Sequence, residues 1–259
     1  MVDRAVAVAP GYLSSTANAA RNQYANLLPP QVIEAQTVNV PVYADLSATE
    51  LTKRIPTGTS SVTFNAATNS LNTVADWTSK FPAPGTATRP TVVKVTGGGL
   101  NIPSNVNLNH YVITVESGDI NFNGSNHNLN NVMLKTNNGN VNFANVSARD
   151  LSLFASGSIN TNSGARFSGE TLLATGTSNG NITFNGATNT VDANSSLRVI
   201  ANGDLTYNGA AATRGELITA KNFFFNGSSN LYGAIAAKGN ITFNGSATVI
   251  DIPGFTTLP

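Results

Sequence analysis

One short phrase of alternating side chains recurs along most of this chain. It reads polar, aliphatic, Thr or Asn, aromatic, Asn, Gly. Copies include Asp119-Ile120-Asn121-Phe122-Asn123-Gly124, Asn181-Ile182-Thr183-Phe184-Asn185-Gly186, Asp204-Leu205-Thr206-Tyr207-Asn208-Gly209, Asn222-Phe223-Phe224-Phe225-Asn226-Gly227 and Asn240-Ile241-Thr242-Phe243-Asn244-Gly245. Asn140-Val141-Asn142-Phe143, Ser158-Ile159-Asn160-Thr161-Asn162 and Ser61-Val62-Thr63-Phe64-Asn65 read in the same register, and Gly99-Leu100-Asn101-Ile102 fits more loosely. The first aliphatic falls at 100, 120, 141, 159, 182, 205, 223 and 241, so the steps are 20, 21, 18, 23, 23, 18 and 18 residues. A period near 20 with two-residue alternation inside each copy means one solenoid coil per repeat.

Each unit holds a second apolar stretch upstream of the phrase, for example Val112–Val115, Leu151–Leu153, Leu197–Ile200 or Ala234–Ala237. A turn such as Ser117-Gly118, Asn138-Gly139 or Asn202-Gly203 then leads into the aromatic strand. Asn-Gly ordinarily favours a tight hairpin, but strands recurring at a fixed coil length stack like on like, in parallel. Glycine is expected to supply positive φ at the corners, and Asn a left-handed corner or a ladder hydrogen bond. A third apolar position after each phrase, such as Leu129 or Leu231, gives three short faces per coil. The expected fold is all-β, a right-handed parallel β-helix of about 8 coils with a short N-terminal capping helix.

Stacked coils lie about 4.8 Å apart. Phe64, Phe122, Phe143, Phe184, Tyr207, Phe225 and Phe243 should then form an inward aromatic stack, beside an aliphatic one from Ile120 to Ile241. Thr161 interrupts the aromatic stack, and Phe167 is expected to fold in to replace it. The chain divides into an N-terminal cap, 1–60, with a helix near 14–28; a β-helix, 61–250, with a loop insertion at 75–92; and a C-terminal tail, 251–259. Ser14, Ser15 or Thr16 can cap the start of the 14–28 helix and Pro29-Pro30 stops it, so it is assigned to cover the first coil. The insertion, with Trp77, Phe81, Pro82, Pro84 and Pro90, is read as a loop on the side of the solenoid.

Composition narrows the function classes. Only 10% of residues are charged and the net charge is +1, which removes the electrostatic case for nucleic acid or an anionic membrane. The absence of Cys excludes disulfides and thiolate metal sites. No apolar run reaches the ~18 residues of a membrane-spanning helix. The opening Met1–Pro10 does not resemble a secretory leader, since its apolar run is short and Asp3 sits in the charged region.

A glycosidase needs two carboxylates about 5–10 Å apart. Asp119 and Asp204 share a column but lie four coils apart, roughly 19 Å at the coil spacing. Asp150, Asp192, Glu170 and Glu216 fall out of phase with one another, and His110 and His127 sit in turn-like segments expected at the surface. No nucleophile motif, phosphate loop or metal-ligand spacing occurs, so no catalytic residue, cofactor or metal is assigned.

What remains is a face. Asn121, Asn142, Asn160, Thr183, Thr206 and Thr242 should project outward in one column, flanked by Asp119, Asn140, Ser158, Asn181, Asp204, Asn222 and Asn240. This ladder can simply hydrogen-bond coil to coil and protect the sheet, or it can be a platform for a periodic ligand: a glycan, another solenoid, or ice. Ice-binding solenoids carry a Thr-x-Thr array, and this mixed ladder, broken by Phe224, matches that poorly.

The phrases Val199–Gly209 and Ile235–Gly245 resemble the repeats of filamentous-haemagglutinin-type adhesins, and Leu231–Val249 resembles β-helical domains of bacterial pilus-assembly proteins. The similarity spans about 93–250 and is one of repeat style; the secretion domain of those adhesins and a pilin-like N-terminal helix are both missing. The resemblance implies an extracellular or cell-surface adhesive or structural role without catalysis. The partners expected are glycans or other protein subunits. The alternatives are a self-assembling filament or appendage subunit and, further off, an ice-binding protein or a polysaccharide-active enzyme.

Overall fold

The computed structural model describes residues 7–8, 38–190 and 194–250. The chain forms a parallel β-solenoid of about eight turns. One coil runs as follows. The narrow strand Ile120–Phe122 leads through Asn126 into the long strand His127–Thr136, which bends at Asn131. A turn through Asn138 and Gly139 then enters the next narrow strand, Val141–Phe143. Narrow strands build an eight-stranded sheet and long strands a 13-stranded one. The bend divides the long sheet into a first limb and a second limb, so the coil has three faces. The expected 14–28 helix and the 251–259 tail lie outside the described residues.

The corners are made by residues that tolerate the left-handed backbone region. Asn105, Asn126 and Asn145 have φ of 62°, 63° and 46° where the first limb begins. His110, Asn131 and Asp150 have φ of 57°, 50° and 53° at the bend. Short polar side chains hydrogen-bond locally there and so offset the steric cost. The Asn126 amide, for instance, donates to Asn105 Oδ1 at 3.1 Å. Glycine does two different jobs. Gly209 after the narrow strand has φ of 120°, as expected. In the turn before the narrow strand, close approach is the reason instead: a Cβ on Gly139 would stand 2.1 Å from the carbonyl oxygen of Gly118 in the coil beneath.

Inside, the narrow strands stack as the alternation requires. Leu100, Ile120, Val141, Ile159, Ile182, Leu205, Phe223 and Ile241 are all buried in one aliphatic column. Beside it, Phe184 stacks on Tyr207 at 4.4 Å, Tyr207 on Phe225 at 5.3 Å, and Phe122 meets Phe143 at 4.9 Å. Thr161 occupies this column between Phe143 and Phe184. Phe167, in the first limb of the same coil, is fully buried opposite Ala148. Bulk missing from one face is present on the next.

Phe64 is a correction. Ser61–Asn65 pairs with Thr91–Thr96 in the second limb, so Phe64 stacks over Val95 and not in the aromatic column. The repeat phrase fits any inward-alternating strand, and its neighbours decide which sheet it joins. The segment 75–92 differs too. Val74–Lys80 forms a helix, capped by Thr73, whose hydroxyl accepts from the Asp76 N–H at 3.1 Å while Asp76 accepts from the Thr73 N–H. Hydrogen bonds from Lys80 and Thr73 draw the Asp76 carboxyl down to about 2. Trp77 stacks on Phe81 at 4.0 Å, and Phe81 meets Phe64 at 5.0 Å and Tyr111 at 5.9 Å. With Leu71, these rings join the core of the first coil.

A second helix, Tyr43–Arg54, lies on the outside of the second limb. There the outward residues Val112, Met133, Phe154 and Ala174 are as buried as the inward ones. Tyr43, Leu46, Leu51 and the following Ile55 pack on them, with Tyr43 edge-on to Phe154 at 5.8 Å. Arg54 fastens the helix, binding Glu50 at 3.2 Å, Asn131 Oδ1 at 2.8 Å, the carbonyl of Asp150 at 3.1 Å and Ser152 Oγ at 3.0 Å. At the far end, strand Ser229–Ala237 is bordered by Ala247–Ile250 along its first half and by Ala7–Val8 along its second.

Candidate binding face

The outer surface of the narrow sheet is built by three polar columns. The central one carries the six residues expected there. Asn101, Asn121, Asn142, Asn160, Thr183, Thr206, Phe224 and Thr242 lie side by side in register. Each of the six is half-buried, as an outward group on a stacked sheet should be. The asparagines bond to one another: Asn121 donates to Asn101 at 3.2 Å, Asn142 to Asn121 at 2.8 Å, and Asn160 to Asn142 at 3.2 Å. The three threonines make no such ladder bond among the described residues.

A second column realises the ladder hydrogen bond that Asn was expected to offer as an alternative to a left-handed corner. The Asn that follows each aromatic stacks on its counterparts: Asn208 on Asn185, Asn226 on Asn208 and Asn244 on Asn226, each at 2.9 Å. The recurrence of Asn at one phase of the phrase was the signal for it. The third column, at the other edge, ties side chains to the backbone of the next coil. Asp119 Oδ1 accepts from the Asn140 N–H at 2.7 Å and Asn140 Oδ1 from Ser158 at 2.8 Å. Higher up, Asn181 Oδ1 accepts from Asp204 at 2.8 Å, Asp204 Oδ1 from Asn222 at 2.9 Å, and Asn222 Oδ1 from Asn240 at 3.0 Å.

These bonds make the face stiff and leave it hydrogen-bonding capacity. An amide has two N–H groups and a carbonyl with two lone pairs, and each ladder bond uses one of each. The two carboxylates on the face, Asp119 and Asp204, already accept from the backbone and from an Asn amide, at 3.2 and 3.0 Å for the latter. They stand four coils apart in their column, too far for a glycosidase pair.

Asp150 and Glu170, expected out of phase, are a correction: they stand on neighbouring coils at the bend, with Asp150 Oδ1 accepting from the Glu170 N–H at 3.0 Å. His127 is a further correction, since it is 1% exposed and in a strand, edge-on to Phe122 at 5.2 Å. Its Nε2 lies 3.2 Å from the Asn123 carbonyl, and burial lowers its pKa. Its flanking Asn residues gave it a turn-like look, yet its phase is that of the inward Val146 in the next coil. His110, at the bend, has Nδ1 3.3 Å from the Asn131 amide. Among the described residues no three His, Asp or Glu side chains converge on a point, and no helix is long and apolar enough to cross a membrane. In comparisons with protein-family models, curated proteins and solved structures, nothing matched this chain.

Proposed function

We propose that this solenoid is an adhesive or structural module of a cell surface or extracellular space, working by presenting the outer face of its narrow sheet and carrying out no catalysis. The observation that carries the reading is a contrast between faces. The second limb buries the outward side chains Val112, Met133, Phe154 and Ala174 beside the helix Tyr43–Arg54, whereas the narrow sheet leaves a polar ladder partly open along its coils. A stiff array with a repeat of about 4.8 Å suits a periodic partner, either a glycan or a protein subunit. The charge-poor composition and the haemagglutinin-like repeat style support an extracellular setting.

The packing of Leu71, Trp77 and Phe81 into the core of the first described coil supports a discrete rod over an end-to-end filament. Negative-stain microscopy across a concentration series, paired with a glycan array, tests the reading. Short rods at every concentration, with array signal lost on Asn142→Arg, are expected. Long filaments of constant width, or an array signal indifferent to Asn142→Arg, would overturn it.

A further inference from the structure

One outward residue of the central column on the narrow-sheet face carries no polar group at all. Phe223 and Phe225 point into the core, 0% and 2% exposed. Phe224, between them, therefore points out, pairing in register with Thr206 on one side and Thr242 on the other. It is half-buried and has no ring partner among the described residues. The adjoining column is the Asn208–Asn226–Asn244 ladder, held at 2.9 Å per step. No other outward residue in the central column of this face is aromatic.

The surroundings define what such a ring can recognise. The three outward columns contain no Lys, Arg or His, and their two carboxylates are engaged by the neighbouring coil. An anionic polymer would gain no ion pair here. Amides and hydroxyls that both donate and accept suit a ligand whose groups do the same, which describes sugar hydroxyls. The apolar face of a pyranose ring, with its axial C–H groups, suits an isolated exposed phenyl, whose π-face carries partial negative charge. The spacing of the coils, about 4.8 Å, is close to the length of one β-linked pyranose unit.

We propose that the face binds a neutral, unbranched β-linked glycan lying along the solenoid axis, with one pyranose ring stacked on Phe224 and its hydroxyls bonded to Asn226, Asn244, Thr206 and Thr242. This rests on the reading of the narrow sheet as the presented face, and it adds the ligand class and the anchoring residue.

Isothermal titration of the full chain with cellohexaose, chitohexaose and laminarihexaose tests it, with hexagalacturonate as the charged comparator. Binding of at least one neutral hexasaccharide is expected. Phe224→Ala should weaken it by about tenfold or more, and Phe224→Trp should keep or improve it. Since Phe224 faces outward, both variants should unfold at the wild-type temperature, which calorimetry checks. Equal affinity in Phe224→Ala, with binding abolished by Asn142→Arg, would sink the stacking role and leave the presented face standing. Binding of hexagalacturonate alone, or of none of the four sugars, would overturn the neutral-glycan assignment. Hexasaccharide binding untouched by either substitution would remove the face itself.

Discussion

Thr161 and Phe167 offer a sharp test of how the core is packed. If the bulk lacking at Thr161 is supplied by Phe167 across the same coil, combining Thr161→Phe with Phe167→Ala should cost much less than the two single changes together. Thr161 is fully buried, and its hydroxyl accepts from the Asn185 N–H at 3.1 Å. Thr161→Phe inserts a ring into a filled layer, at about 1–3 kcal/mol for overpacking, and strands that N–H, at about 1–3 kcal/mol more. Phe167→Ala removes a ring that is 1% exposed and is expected to cost about 3–5 kcal/mol. In the double variant the new ring at 161 occupies the space vacated at 167 and continues the stack between Phe143 and Phe184. Only the lost hydrogen bond and imperfect fit should remain, roughly 2–4 kcal/mol. Urea unfolding of the four proteins gives the coupling energy directly. A coupling near zero, within about 0.5 kcal/mol of additivity, would mean that the two side chains fill separate spaces.

Three other outcomes follow from the same structure. Phe184→Asp should abolish cooperative unfolding near room temperature, since it buries an unpaired charge in the aromatic column, and a native-like circular dichroism spectrum would refute the inward register. His127 has a folded-state pKa below its unfolded one, so its contribution is present above about pH 6.5 and is lost as pH falls, at up to ~1.4 kcal/mol per pH unit; stability measured from pH 7 to pH 5 should fall less steeply in His127→Gln. Arg54→Met should cost about 1–3 kcal/mol, because it removes the bonds to Asn131, the Asp150 carbonyl and Ser152 while Glu50 keeps the Ser152 hydroxyl and Lys53, and hydrogen exchange should show protection lost over 43–54 while the narrow strands stay protected.

Much of this architecture could be read from residue order alone. The inward and outward assignments of 120–122, 141–143, 182–185, 205–208, 223–226 and 241–244 follow from two-residue alternation, and the central ladder follows with them. Ser61–Asn65 carries the same local phrase yet joins the other sheet, because a strand's partner is set by the chain around it. The helix Val74–Lys80 was hidden by its brevity and the prolines after it, although Thr73 and Asp76 stand at capping-box spacing. The helix Tyr43–Arg54 has a weak apolar stripe; its clue lay in its receptor instead. Runs such as Tyr111-Val112-Ile113 and Val132-Met133-Leu134 are apolar on both faces, as strands are when both sides are covered. The solvent-facing ladder was therefore legible and the covered limb was not, because covering is a relation between segments distant in sequence.

The pairing of Ala7–Val8 with Ile235–Ala236 bears on how the molecule is made. Neighbouring coils touch across about one repeat, so most of the solenoid can zip up as the chain emerges, at low contact order. This contact, like the packing of the helix Tyr43–Arg54 on Phe154 and Ser152, instead joins segments far apart in sequence. That pairing cannot form until Ser229–Ala237 exists, and Ala7–Val8 must wait for it. Assembly of the ladder and closure of its last rung are then separate kinetic events, the second paying a loop-closure entropy that the first avoids.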